Sequence, residues 1–258
     1  MSHYLKRPAV AIAAFVIGSV CCAEELKYPL TEVEAGYGHE TLTNNLPNWR
    51  VAYLDFSRRI ADRHTIYGGL REIRRFGLTD TAGTVGFYYP LGATLTSVLE
   101  ASVSPSHHVL PKYALFGQMH KTLANGWGAS AGLRHSEYDR SVVDVFSASA
   151  ERYWGNWRGA YTLYASKPRG ASSATAHRFQ LTHYYGDRNF VVVNYTTGRE
   201  VENVGPPTGV RSTDVNGWAL SGRHWLSNAW ALTYDLVSHE QETLYRRQGL
   251  SLGVRHSF

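Results

Sequence analysis

The feature that most constrains this chain is a sequence period of two that recurs along its length. Segments of about ten residues, in which apolar and polar residues alternate, follow one another from Leu30 to the last residue. The final segment is the clearest, because Leu250 and Leu252 alternate with Ser251 and Gly253. Successive side chains of a strand point to opposite faces, so the pattern predicts strands with one apolar and one polar face.

Turn-forming residues separate these segments in a regular rhythm. Short turns are predicted at 60–63, 90–93, 122–126, 154–157, 186–189 and 226–229. Between them lie connections that are longer on average, at 42–48, 76–79, 105–109, 139–141, 168–173, 201–211 and 240–243. Transmembrane barrels have short periplasmic turns and longer outer loops. We therefore predict an all-β chain that forms a single antiparallel transmembrane β-barrel of about 14 strands, with both termini periplasmic. Twelve strands remain possible, because residues 50–75 alternate poorly.

Aromatic residues flank five of the six predicted short turns. They are Tyr88, Tyr89, Trp127, Tyr153, Trp154, Trp157, Tyr184, Tyr185, Trp225 and Trp230. Such rings have an apolar body and a polar tip and settle at the level of the lipid headgroups. A soluble lipocalin-like or jelly-roll protein would also alternate, but it would not need this girdle. A helical membrane protein is excluded, since no apolar run after the N-terminus reaches about 18 residues.

The N-terminus has the pattern of an export signal. Lys6 and Arg7 precede an apolar run at 9–20, and Cys21-Cys22-Ala23 fits a cleavage site. We predict a signal peptide over residues 1–23, cleaved after Ala23, and a barrel over 24–258 in the cell outer membrane. An uncleaved anchor is the alternative, but the run is too short to span a bilayer. The net charge of +5 is too small to indicate a nucleic-acid partner.

The last residues predict a partner during assembly. Ser251, Gly253, His256 and Phe258 have a spacing that resembles the signal by which the barrel-assembly machinery recognises its clients. A last strand with an aromatic row and a free edge can pair with another edge strand. The lasting surroundings would be outer-membrane lipid and lipopolysaccharide, and the sequence leaves the oligomeric state open.

Several turn-forming phrases resemble the YaiO-type outer-membrane β-barrel family over most of the mature chain. They are Leu110-Pro111-Lys112-Tyr113, Tyr153-Trp154-Gly155-Asn156-Trp157-Arg158, Tyr184-Tyr185-Gly186-Asp187-Arg188-Asn189 and Gly198-Arg199-Glu200. The resemblance implies an integral outer-membrane barrel without assigned catalytic residues. Some relatives carry tetratricopeptide repeats or are associated with surface polysaccharide. We expect no repeat domain here, because only residues 24–29 lie between the cleavage site and the first predicted strand.

The polar face of the predicted strands carries charged residues that could line the barrel interior. They are Glu100, Arg134, Arg158, Arg178, Arg223, Asp235 and Arg255, with Arg71 as a further candidate. Such a set could line a porin-like channel for small polar solutes, and the arginine excess would favour anions. The alternative is an interior filled with charge pairs, which would make the chain a structural or surface-interaction barrel. The sequence leaves both open.

Two further features bear on function. A lipid-modifying enzyme would need a serine beside a histidine, but the neighbours His135 and Ser136 must point to opposite faces of a strand. Ser141, His177 and His239 could lie near the same rim, although no spacing fixes their distances. We therefore predict no catalytic residue, cofactor or metal site. The proline- and glycine-rich segment 201–211 predicts a stiff loop, folded inward as a constriction or outward as a binding surface.

Overall fold

The computed structural model describes residues 31–61, 63–170 and 172–258, and the predicted signal peptide lies outside these residues. Fourteen antiparallel strands form one closed barrel in which each strand pairs with its sequence neighbours and the last pairs with the first. The strands are β1 Thr31–Leu42, β2 Trp49–Ala61, β3 His64–Arg75, β4 Leu78–Pro90, β5 Leu95–Ser106, β6 Tyr113–Thr122, β7 Trp127–Glu137, β8 Val142–Trp154, β9 Trp157–Pro168, β10 Ala174–Tyr185, β11 Asn189–Asn203, β12 Val210–Trp225, β13 Trp230–Gln241 and β14 Tyr245–Ser257.

The prediction of about 14 strands is confirmed, and the twelve-strand alternative is wrong. The poorly alternating residues 50–75 form β2 and β3, which pair with each other from Arg50–Arg74 to Ala61–His64. The alternation is weak there because glycines and arginines occupy both faces of these two strands. A 3₁₀ turn at Ala124–Gly126 joins β6 to β7. The described residues contain no helix with the length and apolar character needed to cross a membrane.

Apolar side chains cover the outside of the barrel, as the sequence period predicts. Leu250, Leu252 and Val254 are each about half exposed on β14, whereas Ser251 between them is buried. The two faces of β8 separate in the same way, with Phe146 outside and Val145 inside. A period of two therefore sorts lipid-facing from interior side chains around the whole barrel.

The aromatic girdle divides between the two faces. Six of the aromatic residues near the short turns lie on the outer face: Tyr89, Trp127, Trp154, Trp157, Tyr185 and Trp230. Their sequence neighbours Tyr88, Tyr153, Tyr184 and Trp225 lie on the interior face. The division follows from the strand period, because adjacent residues cannot share a face.

Closure of the barrel depends on the pairing of β1 with β14. These strands pair from Glu32–Ser257 to Leu42–Arg247. On the interior face of this seam, Arg255 donates to Glu34 at 2.7 Å. Tyr53 packs against the seam, and a Cβ added at Gly36 would meet its hydroxyl at 2.2 Å. The seam therefore combines a complete hydrogen-bond ladder with an ion pair and a close aromatic contact.

Candidate functional site

The charged residues predicted to face the interior all lie inside the barrel. Five of them line one cavity of about 160 Å³: Arg71, Arg178, Arg223, Asp235 and Arg255. Glu100 and Arg134 line a second cavity of about 110 Å³, which Arg71 and Thr84 also border. Arg158 contacts Glu151 and donates to the Gln180 side chain at 2.6 Å.

Most of these guanidinium groups are paired with carboxylates. Arg134 donates to Glu100 at 2.8 Å, and Arg255 donates to Glu32 at 2.6 Å as well as to Glu34. Arg71 lies 3.5 Å from Asp55. Buried charges are tolerated when they are paired in this way, so the pairs hold the interior side chains in fixed positions.

Several acidic residues of the interior were missed from the sequence, among them Glu32, Glu34, Glu40, Asp55, Glu151 and Glu202. Three of them share one face of β1, so the alternation itself could have revealed them. Their presence corrects the expectation of an arginine excess. Five carboxylates (Glu32, Glu34, Glu40, Asp55 and Asp235) face four arginines across the larger cavity. Net interior charge therefore gives no reason for an anion preference.

Asp80 holds the connection between β5 and β6 over the outer mouth. Its fully buried carboxylate accepts backbone hydrogen bonds from His108 at 2.9 Å, Val109 at 2.7 Å and Leu110 at 2.9 Å. The His108 ring lies 2.8 Å from the same carboxylate, and this hydrogen bond raises the pKa of His108 above its usual value. Val109 and Leu110 are buried as a result, and the loop 107–112 covers part of the interior.

The hairpin formed by β11 and β12 also bends inward. The segment 201–211, predicted as a loop, is partly strand: Val201 pairs with Ser212 and Asn203 pairs with Val210, and the loop is confined to residues 204–209. Val201 packs against Val143 and Ala174, which belong to the interior face of β8 and β10. The tip therefore lies inside the barrel mouth as a constriction, one of the two positions that the sequence left open.

A glycine permits this bend. Gly198 in β11 has a φ of 113°, and a Cβ at this position would lie 2.5 Å from the backbone oxygen of Thr175. L-residues with a side chain rarely adopt such a φ, so the local conformation requires glycine. Beyond the bend, Glu202 meets Arg75 of β3 at 3.4 Å, and both side chains are buried.

The loop and the hairpin meet each other above the interior. Asn203 donates from its side-chain amide to the backbone oxygen of Val109 at 3.1 Å. A Cβ added at Gly205 would lie 2.9 Å from Leu78 and 3.4 Å from Val109. We refer to the loop 107–112 and the hairpin tip 199–213 together as the outer cover.

The Arg188 side chain narrows the mouth at the short turns, which the sequence predicts to be periplasmic. Arg188, in the turn between β10 and β11, reaches Glu32 of β1 at 2.7 Å and the backbone oxygen of Asn228 at 3.0 Å. Its guanidinium lies 3.2 Å from the ring centroid of Trp225. Arg188 thus spans from one side of this mouth to the seam.

The histidines and serines considered for catalysis lie in separate places. His135 is on the outer face, where its Nδ1 lies 2.7 Å from Asp144, whereas Ser136 is buried in the interior. His177 lies 2.8 Å from the Tyr161 hydroxyl on the outer face. His239 is buried inside, 2.9 Å from Gln241, and Ser141 lies in the turn before β8. No group of three or more potential metal ligands occurs in the described residues.

The four residues of the C-terminal pattern divide between the faces of β14. His256 and Phe258 lie outside, with ring centroids 4.4 Å apart, and Phe258 is 71% exposed. Ser251 and Gly253 lie inside, where a Cβ at Gly253 would meet the Tyr53 hydroxyl at 2.4 Å. Gly253 therefore has a packing role in the finished barrel, whatever its role in assembly.

A closed antiparallel barrel with an apolar outer face and a charged interior defines an outer-membrane β-barrel protein. The chain belongs to the family described as the YaiO membrane beta barrel domain, whose profile matches residues 30–203. The predicted resemblance is thereby confirmed. A search of the curated proteins returns no significant match.

Two solved structures share the fold at low sequence identity. A bacterial polysaccharide outer membrane secretin aligns with a TM-score of 0.55 and 7% identity, covering 90% of this chain and 99% of the other. OmpF of Salmonella typhi, solved in complex with daunomycin, aligns with a TM-score of 0.51 and 8% identity, covering 88% and 97%. At this identity the similarity concerns the fold alone.

Proposed function

We propose that this protein is a narrow outer-membrane channel for small polar solutes, whose outer mouth is closed by the outer cover. The observation that carries the proposal is the larger cavity, which is lined by residues from Glu32 to Glu40 of β1. The eight residue steps from Glu32 to Glu40 of a tilted strand span about 20 Å along the barrel axis. The cavity thus extends through most of the apolar band, which is about 25 Å tall in such barrels.

The lining suits polar solutes rather than lipids. Hydroxyl and amide groups of Asn194, Ser221 and Thr233 border the cavity together with the paired charges. Such groups can replace part of the hydration of a sugar or a small ion as it passes. The fixed ion pairs narrow the path, so we expect low conductance and a small size limit.

Polar contacts, together with the apolar packing of Val201 against Val143 and Ala174, hold the outer cover. The Asp80 hydrogen bonds secure the loop, the Arg75–Glu202 pair secures the hairpin, and one amide of Asn203 joins the two. Loops and hairpin tips belong to the less stable parts of a protein and open without global unfolding. Opening of the outer cover would connect both cavities to the outside.

Liposome swelling tests the permeation claim. The barrel over residues 24–258 is refolded, its folded state is checked by heat-modifiable migration on a gel, and it is reconstituted into liposomes. We expect swelling in small polyols that falls off steeply with solute size. Swelling no faster than that of liposomes holding heat-denatured protein would contradict a channel.

The second candidate is a structural barrel without permeation. The ion pairs favour it, because Arg188 narrows one mouth and the Arg75–Glu202 pair lies in the other. Under this alternative, variants that release the outer cover would remain impermeable. The same swelling assay therefore separates the two functions.

The route to the membrane is a further part of the proposal. We propose export with cleavage after Ala23 and insertion by the barrel-assembly machinery into a membrane of lipid and lipopolysaccharide. The apolar outer face and the exposed terminal Phe258 support it. Mass spectrometry of the protein purified from outer membranes should give an N-terminus at Glu24, and a mature N-terminus elsewhere would contradict the cleavage site.

A further inference from the structure

We propose that Arg178 forms the anion-binding element of a site in the larger cavity for a small polyhydroxylated carboxylate, the chemistry of a sugar acid. This inference rests on the proposed function, because it names the solute class that the same cavity takes. The net charge of the interior does not support this proposal. The inference rests on one cation that forms no ion pair with any carboxylate in the described residues.

Arg178 differs from the paired arginines that share its cavity. It forms no ion pair and no hydrogen bond with any residue in the described ranges, and its Nε is buried without an acceptor. By contrast, Arg71 and Arg255 both contact carboxylates. A buried guanidinium donor without an acceptor is unfavourable, since each unmet donor costs free energy that a ligand oxygen would recover.

The surroundings orient Arg178 toward the cavity. Its guanidinium carbon lies 5.0 Å from the ring centroid of Tyr164, and it sits on β10 between Thr162 of β9 and Thr196 of β11. Stacking on an aromatic face leaves the N–H edge of the guanidinium free for an acceptor. A carboxylate matches this planar edge with two parallel hydrogen bonds.

The carboxylates that line the larger cavity are bound by other partners, so Arg178 stays available to an incoming anion. Glu34 accepts hydrogen bonds from Arg255, Tyr53 and Thr233, and Glu40 contacts Arg247. Glu200 acts on Arg178 through its charge, but its Oε2 has no hydrogen-bond partner and no ion pair joins the two residues.

Hydroxyl groups of a bound solute would also find partners. Asn194 lines the same cavity from the strand next to Arg178, and Ser221 and Thr233 line it further along the wall. These groups donate and accept hydrogen bonds, as a polyol requires. A solute that places its carboxylate at Arg178 and its hydroxyl groups toward the neutral side chains has the chemistry of a sugar acid.

Calorimetric titration with gluconate and sorbitol tests the site. The two probes are six-carbon polyols that differ in the carboxylate. We expect the refolded wild-type barrel to bind gluconate and not sorbitol, and R178Q to weaken gluconate binding by about tenfold or more, as loss of a charge-assisted pair implies. R178K should retain part of the affinity, because it keeps the charge but not the planar edge.

E200Q is the matched control, because it removes a nearby negative charge and leaves Arg178 in place. We expect it to bind gluconate at least as tightly as wild type. Equal binding of gluconate and sorbitol, or an unchanged affinity in R178Q, would overturn the proposal. Binding without any liposome swelling would refute the channel and leave the site standing, whereas swelling without Arg178-dependent binding would refute the site alone.

Discussion

Arg75 of β3 and Glu202 of β11 form a buried ion pair at 3.4 Å although their strands are six positions apart in the ring by the shorter way. A cylindrical barrel of 14 strands is roughly 27 Å across between backbones. Arginine and glutamate together are too short to bridge most of such a diameter. The pair therefore exists because the β11–β12 hairpin bends into the mouth at Gly198.

The first prediction concerns this pair. E202Q leaves Arg75 without its carboxylate partner, and breaking a buried pair from one side costs about 3–5 kcal/mol. We expect the hairpin tip to open more often, with faster amide exchange over 199–213 and larger bilayer conductance. The double variant R75M/E202M removes both charges and should recover much of the closed state. Unchanged exchange in E202Q would show that the pair does not hold the hairpin.

The second prediction concerns Asp80. D80A removes the acceptor of three backbone hydrogen bonds, each of which is worth about 1.5–3 kcal/mol when the acceptor is charged. We expect the loop 107–112 to become sensitive to protease, while the barrel keeps its heat-modifiable migration. D139A is the control, because it also removes contacts to this loop, the side-chain pairs with His107 and Lys112, but the exposed Asp139 carboxylate accepts no backbone hydrogen bond from the described residues. Protease sensitivity equal in both variants would contradict the assigned role.

The third prediction concerns pH. The hydrogen bond to Asp80 raises the pKa of His108, so the protonated ring stabilises the closed loop. This contribution is present at low pH and is lost as the pH rises through the raised pKa, above the ordinary value of about 6.5. Amide exchange in the loop should therefore speed up as the pH rises through that range, after correction for intrinsic exchange. H108A should abolish this dependence, and its persistence would assign the effect elsewhere.

The fourth prediction compares two of the hairpin's glycines. Gly198 and Gly209 both have positive φ, but a Cβ at Gly198 would collide with Thr175 whereas a Cβ at Gly209 meets nothing within 4 Å. In both G198A and G209A, the strained backbone conformation should lower the free energy of unfolding by about 1–2 kcal/mol. The collision at Gly198 should lower it further in G198A, measured as a lower urea midpoint or as release of the hairpin tip. Equal effects would mean that the bend does not depend on the close approach to Thr175.

The fifth prediction separates packing from recognition at the C-terminus. F258A removes a ring that is 71% exposed, so the refolded barrel should keep its stability while insertion in cells slows. G253A should destabilise the barrel in both settings, because its Cβ would collide with Tyr53 and Thr233. Normal assembly of F258A in cells would contradict the recognition of this residue by the assembly machinery.

The architecture could be predicted from the sequence because its signals are local. Alternation, turn residues and flanking aromatics each depend on a few neighbouring positions, and they predicted about 14 strands, with the correct faces for the segments that alternate cleanly. The arrangement of the interior could not be predicted in the same way. Two of its contacts, the Arg75–Glu202 ion pair and the hydrogen bond from the Val109 backbone to Asp80, join residues far apart in the sequence. They depend on where the hairpin and the loop fold.

The charge of the interior could likewise be predicted only in part from the sequence. The sequence pointed to Arg134, Arg158 and Arg255, whose strands alternate cleanly, but it missed Glu202 because its segment reads as a loop. The bend itself has one local signal, Gly198, which is informative only once the strand that contains it is known. Interior electrostatics therefore required the register of every strand.

The central claim is that the outer cover controls passage through the barrel. The barrel over residues 24–258 contains no cysteine, and a Cβ added at Gly205 would lie 3.4 Å from Cγ1 of Val109, so the pair V109C/G205C is placed to form a disulfide. Single-channel conductance is recorded for this variant in planar bilayers before and after reduction, with each single cysteine variant as control. We expect the oxidised protein to be closed and reduction to restore its conductance to the wild-type level. The conductance of each single cysteine variant should not change on reduction. Equal conductance before and after reduction, with the disulfide confirmed by mass spectrometry, would contradict it.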